Sequence, residues 1–262
     1  MNRRAFTRTA SGIVVGSALG SVSTGLHRAE GTASGGSAPF VAVLFDAFPI
    51  FDPRSVDGLA EDVFPGRGAE LMSTWRARQF EYAWLRVVSR SYADFWRCSE
   101  DALSYSASVL GLELTPARSD RLMNAYLNLQ AWPDVGPALE SLRGAGVRLG
   151  LLSNFTTVML QASSRSAGLQ GVFEHVLSTD QVQTYKPDPK AYQLGVDVLG
   201  LGREQILFAA FAGWDAAGAK RFGYSTFWVN RLGAPPEQLG VPASDGTGHT
   251  LADLVSFIHA SR

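Results

Sequence analysis

The chain has 262 residues, of which 46% are apolar and 18% charged, and its net charge is −1. That length can bury one substantial core plus a small accessory domain, and the composition is too polar for a membrane protein, so stable membrane insertion is not expected. With no excess of lysine and arginine, no nucleic-acid partner is expected either.

Arg3-Arg4 precedes a weakly apolar, Gly/Ser/Ala-rich stretch over residues 10–26 that includes Ile13-Val14-Val15. This pattern resembles a twin-arginine export signal, and residues 31–38 read as a linker where a peptidase could cut. Residues 1–38 are therefore read as signal and linker and set aside from the fold, and the protein is expected in the periplasm or outside the cell. Without the four arginines and one glutamate of that segment the net charge becomes −4, which again argues against nucleic acid. Cys98 is the only cysteine, so no intrachain disulfide can form, and its helical-looking surroundings mark it as packing.

Five runs read as buried strands: 41–45, 148–152, 175–177, 206–211 and 225–230. Each is apolar on both faces rather than alternating, and so needs cover on both sides. Helical patterns over 135–143, 158–167, 189–199 and 216–222 alternate with the later strands, giving the rhythm of an α/β fold with a doubly wound parallel sheet. After the first strand about 80 residues pass before that rhythm resumes, with helical patterns over 69–90, 94–110 and 118–127. The spacing predicts a core of residues 39–51 and 132–262, with an inserted helical lid, or cap domain, over 52–131.

In an open parallel sheet the ligand lies beyond the carboxyl ends of the strands. Asp46 follows the first strand, Ser153-Asn154 the second, Lys186 the third and Asp215 the fourth. Singly, such residues are usually caps or solvated turns; in this order they suggest one site. A carboxylate nucleophile divides a hard displacement into ester formation and ester hydrolysis, and it needs a cation nearby to stay ionised in a dry site. Asp46 is the candidate nucleophile, Lys186 the cation, and Asp215 the group that holds the ammonium in place. The four histidines do not cluster at metal spacing, and no G-x-S-x-G, phosphate-loop or H-E-x-x-H pattern occurs.

The succession Phe45-Asp46-Ala47-Phe48, Leu152-Ser153-Asn154, Tyr185-Lys186-Pro187-Asp188 and Trp214-Asp215 resembles the four motifs of the haloacid dehalogenase superfamily. Val63-Phe64-Pro65-Gly66-Arg67-Gly68, Trp75-Arg76, Glu81-Tyr82-Ala83-Trp84-Leu85-Arg86 and Trp228-Val229-Asn230-Arg231 are similar to the L-2-haloacid dehalogenase branch over nearly the whole chain after residue 38. The resemblance implies a Rossmann-like core, a helical lid, homodimers, and hydrolytic removal of halide from short 2-haloacids with inversion at C2. It also implies that Arg76 receives the halide, that Ser153 and Asn154 hold the substrate, and that Phe48, Tyr192 and Trp214 stand beside it. Most members of the superfamily transfer phosphoryl groups with Mg²⁺ and a second aspartate two residues after the nucleophile. Here that position is Phe48, and Asp215 has no acidic neighbour, so displacement at carbon without metal or cofactor is expected.

Several positions depart from the pattern. Pro49 and Ile50 replace the glycine and threonine of the first motif, Ala210 and Ala212 the serine and asparagine of the fourth, and Phe155 the glycine after Ser-Asn. Proline lacks an N–H and disfavours helix in the residue before it, which predicts an extended Phe48 and a site poorer in hydrogen bonds. The alternatives to dehalogenation are an exported hydrolase of another substrate on this scaffold, and a catalytically impaired relative that binds small carboxylates. The leader makes a separate prediction: a fusion carrying residues 1–38 leaves the cytoplasm, and Arg3→Lys with Arg4→Lys retains it. Unchanged export of the double variant would refute the assignment.

Overall fold

A computed structural model describes residues 40–240 and 244–261; the expected export segment, residues 1–38, lies outside them. The described chain opens with β1 (Ala42–Phe45), a one-turn helix α1 (Ala47–Ile50) and a short β2 (Phe51–Asp52). Four helices follow: α2 (Arg54–Val63), α3 (Gly68–Val88), α4 (Phe95–Val109) and α5 (Pro116–Ala125). The chain then returns through β3 (Gln130–Ala131) and α6 (Val135–Gly144) to β4 (Arg148–Ser153). Alternation continues with α7 (Thr157–Ser166), β5 (His175–Ser178), α8 (Pro189–Leu199), β6 (Ile206–Ala210), α9 (Gly213–Phe222) and β7 (Ser225–Val229), and ends with β8 (Gly246–Gly248) and α10 (Leu251–Ala260).

Six strands form one parallel sheet in the order β5-β4-β1-β6-β7-β8. The alternation of side chains along β1 shows why its sequence is apolar throughout. Val43 and Phe45 enter the core on one face, while Ala42 and Leu44 enter a second core on the other. Central β1 has β4 and β6 as neighbours, so the ends of all three converge on one place. Helix ends follow local chemistry: Asp188 caps α8, Pro189 occupies its first turn, and Gly200 ends it at φ +65°.

β2 pairs antiparallel with β3, Phe51 opposite Ala131 and Asp52 opposite Gln130, where the chain leaves the sheet and returns from α2–α5. The sequence patterns anticipated α3, α4 and α5 but not α2. Its buried residues, Val56, Ala60 and Val63, recur at i, i+4 and i+7, so the helical period was present in the sequence and was overlooked. Also unanticipated were β8 and α10; the latter buries Leu251, Leu254 and Ile258 behind a Thr250/Asp253 capping box.

Helices α2 and α3 touch through backbone at Gly68, where a Cβ would run into Ala60 and Glu61 main-chain atoms. Gly58, on the exposed side of α2, has open space around it. Gly68→Ala should therefore lower the free energy of unfolding by roughly 1–3 kcal/mol, whereas Gly58→Ala should raise it by up to about 1 kcal/mol through helix propensity. Urea denaturation measures both; two variants of equal stability would mean that the α2–α3 contact does not constrain the insertion.

Candidate active site

Asp46 is the first residue beyond β1, and its extended backbone lets its side chain cap α1. Its Oδ2 receives only a long contact from the Phe48 N–H, 3.5 Å. The other oxygen, Oδ1, accepts from Ser153 Oγ at 3.1 Å and from Lys186 Nζ at 2.8 Å. Ser153 is the last residue of β4, and Lys186 lies beyond β5 and a 3-10 turn, Thr179–Val182. Lys186 Nζ also donates to Asp215 Oδ2 at 2.5 Å and lies 4.9 Å above the Phe208 ring. Asp215 sits in the first turn of α9, where the helix dipole favours a carboxylate. The expected nucleophile, cation and second carboxylate thus meet in one chain of hydrogen bonds.

Water barely reaches this chain: Lys186 and Asp215 are each 1% exposed and Asp46 9%. Burial pulls the Lys186 ammonium toward losing its proton, but the charges of Asp215 and Asp46 outweigh it and raise its pKa above the ordinary lysine value. Burial pushes Asp215 up to about 6; Lys186 opposes that rise and the Asp46 charge adds to it. Burial, with Asp215 beside it, also drives the Tyr192 phenol well above its usual value, so it stays a neutral donor.

A cavity of about 160 Å³ opens beside Asp46. Of the residues expected at the site, Asp46, Phe48, Arg76, Ser153, Asn154 and Trp214 line it. Tyr192 does not. It is fully buried, its hydroxyl donating to Asp215 Oδ1 at 2.7 Å, so the expectation that it stands beside the substrate is corrected: it holds Asp215 from behind. Asn154 has two tasks. Its Oδ1 accepts from the Lys186 N–H at 2.9 Å and from Thr179 Oγ1 at 3.3 Å, while its buried Nδ2 has no hydrogen-bond partner among the described residues. Arg76, on α3, places Nη2 2.6 Å from Asp57 Oδ1 on α2, an ion pair in which that nitrogen makes no aligned hydrogen bond among the described residues.

The departures from the motif pattern fall in different places. Phe48 is helical, not extended as its proline neighbour predicted. Pro49 is the third residue of α1, where a helix leaves its N–H unused, and its carbonyl accepts from Arg231 Nη2 at 2.7 Å and Nε at 3.2 Å. Ile50 and Ala210 are fully buried in the cores; Ala212 and Phe155 do line the cavity. The sequence reading missed Phe80, Phe95, Tyr126 and Phe211 on the lining and Gln79 among them. Phe211 directly follows β6, so the strand-end rule could have found it; the others lie in the helical insertion or just after α5, where aromatic residues ordinarily mean packing.

Comparison with known proteins agrees with this geometry. Residues 43–223 match the family described as haloacid dehalogenase-like hydrolase. An (S)-2-haloacid dehalogenase of Pseudomonas sp. (strain YL) is 41% identical over 199 residues, covering 76% of this chain and 86% of that protein. A crystal structure of an L-2-haloacid dehalogenase superposes with a TM-score of 0.83 at 43% identity, over 85% of this chain and 100% of that one. The L-2-haloacid dehalogenase of Xanthobacter autotrophicus, solved with chloropropionic acid covalently bound, gives a TM-score of 0.78 at 34% identity, over 84% of this chain and 98% of that one. Strand order, the Asp46–Lys186–Asp215 chain and these matches agree: the protein belongs to the haloacid dehalogenase-like hydrolases.

Proposed function

We propose that the protein is a hydrolytic dehalogenase of short 2-haloacids that works through an ester on Asp46. The observation that carries this reading is the asymmetry of the Asp46 carboxylate. Oδ1 is held by Lys186 and Ser153, while Oδ2 has only a 3.5 Å backbone contact and belongs to a cavity-lining side chain. Oδ2 is then the oxygen free to attack C2 from the side opposite the halogen. The C–O bond forms as the carbon–halogen bond breaks, the halide leaves with the bonding pair, and C2 inverts.

In the ester, Oδ1 becomes the carbonyl oxygen with Lys186 Nζ and Ser153 Oγ already on it. Water adds at Cγ, the charge that develops on Oδ1 meets those two donors, and the Cγ–Oδ2 bond cleaves; one proton of the water passes to the departing oxygen, which leaves as the hydroxyl of the 2-hydroxy acid, and the other to solvent as the Asp46 carboxylate re-forms. Arg76 is assigned the departing halide, whose charge develops only as the bond breaks. The unpartnered Nδ2 of Asn154 is assigned the substrate carboxylate. Phe48 and Trp214 supply apolar walls, and Tyr192 and Asp215 fix the ammonium. Residues 52–131 are read as the lid over this cavity. Export through residues 1–38 and a homodimeric state complete the proposal; support for the dimer comes from Leu85 and Val88, exposed on the last turn of α3.

Chloride release from (S)-2-chloropropionic acid tests the reading. Wild type should release chloride, Asp46→Ala should lose all measurable turnover, and Ser153→Ala should drop kcat by about 10²–10³ as one oxyanion donor disappears. Wild-type rates from Asp46→Ala, or no chloride from any 2-haloacid in a panel, would contradict it.

A further inference from the structure

Seven of the fifteen residues lining the cavity beside Asp46 are aromatic, and Phe155 stands where several of these rings meet. Its ring centroid lies 5.3 Å from that of Phe48, 5.7 Å from Phe95 and 5.9 Å from Tyr126. Those rings come from α1, from α4 and from the residue that follows α5. The backbone beneath Phe155 is pinned as well: its N–H donates to Ser153 Oγ at 3.3 Å, and its carbonyl accepts from Ser178 Oγ at 2.7 Å. Exposure gives the cavity a direction. Leu232 on the lining is 63% exposed and marks the mouth, whereas Phe155 is 2% exposed and belongs, with Gln79, Tyr126 and Ser153, to the buried part of the lining. To make room, the Phe155 ring would have to leave three aromatic partners at once, so it acts as a fixed wall.

Size and polarity then select the substrate. The volume of about 160 Å³ is close to that of an engineered apolar cavity of roughly 150 Å³ that admits benzene, a body of about six heavy atoms. 2-Chloropropionate matches that size, and 2-chlorohexanoate exceeds it. With the guanidinium of Arg76 and the free Nδ2 of Asn154 assigned to the charged parts of the substrate, the C2 substituent is left with the rings. An alkyl group gives up no hydrogen bonds there, whereas a second carboxyl would be buried with no further cation on the lining to meet it: Gln79 and Tyr126, polar side chains there, are uncharged and already bonded to Ser99 and to each other.

We propose that Phe155 sets the size limit of the site, confining it to 2-haloacids whose C2 substituent is a short alkyl group. For its chemistry this rests on the dehalogenation reading, so the test has two readouts. One is kcat/KM for chloride release from (S)-2-chloropropionate and (S)-2-chlorohexanoate. The other, independent of turnover, is calorimetric binding of (R)-lactate and (R)-2-hydroxyhexanoate, the hydroxy acids that inversion would produce. Wild type should prefer the shorter acid by at least about tenfold, within the range that methylene groups command in apolar pockets. Phe155→Ala should narrow that preference at least about tenfold, chiefly by improving the longer acid. Phe155→Leu, which keeps more of the wall filled, should move it the same way by less, and serves if the alanine variant does not fold. Equal handling of both acids by wild type, no binding of either hydroxy acid, or an unchanged preference in a folded variant would overturn the role of Phe155. Absence of chloride from every acid would instead overturn the dehalogenation reading, while the binding ratio would still decide the role of the ring.

Discussion

Lys186 Nζ has to neutralise two carboxylates where almost no water reaches, and the rest of the site is arranged around that requirement. It bonds Asp46 at 2.8 Å and Asp215 at 2.5 Å, so one positive charge is shared between two negative ones. Burial pushes Asp215 up to about 6; Lys186 opposes that rise and the Asp46 charge adds to it. Tyr192 relieves Asp215 with a hydroxyl, and Ser153 relieves Asp46. Removing one member of such a buried set typically costs about 3–5 kcal/mol, because the remaining charge is stranded. Ester formation on Asp46 would remove one of the two negative charges, leaving Lys186 and Asp215 a balanced pair while Oδ1 keeps its donors. Charge balance therefore improves along the first chemical step, which is differential stabilisation rather than tight binding of the substrate.

The helical insertion is tied to this centre at several points. Trp84 Nε1 donates to the carbonyl of Lys186 at 3.0 Å, and Tyr92 OH to Asp180 at 2.8 Å, so α3 and the segment between α3 and α4 hold the chain that carries the ammonium. On the other side of the site Arg231 bonds the Pro49 carbonyl and Asp134 while lying 4.6 Å over Trp132, and Asp134 also accepts from the N–H of Leu251 at the start of α10. The turn that follows the nucleophile is thus fixed by an arginine from beyond β7. A largely buried cavity strengthens the polar contacts within it, since little water remains to screen them.

Much of this was legible in the sequence because strand ends carry it. Doubly apolar runs require a sheet covered on both faces, and the polar residue that follows a run lies at the carboxyl edge, which places Asp46, Ser153 and Asp215 together; Lys186 comes only after Ser178, Thr179 and Asp180, and was marked instead by the motif Tyr185-Lys186-Pro187-Asp188. Asp188-Pro189 and Gly200 likewise bounded α8. What could not be read was which polar residues face the cavity and which support them from behind. Tyr192 and Trp214 looked alike as aromatics near the motifs, yet one bonds Asp215 in the core and the other lines the cavity. The Arg76–Asp57 pair joins two helices of the insertion, one of which the sequence reading did not anticipate. The effect of Pro49 was misjudged because the general bias of the residue before proline yielded to a first helical turn capped by Asp46.

Covalent participation of Asp46 is the claim on which the roles of Lys186, Ser153 and Asp215 all rest. It is tested most directly by a single turnover of (S)-2-chloropropionic acid in ¹⁸O-labelled water with enzyme in excess, followed by mass spectrometry of the product and of the peptide containing Asp46. An ester mechanism predicts an unlabelled hydroxyl in the product and ¹⁸O in the Asp46 carboxylate. Label appearing in the product hydroxyl during that first turnover, with Asp46 left unlabelled, would mean that water attacks carbon itself and would contradict it.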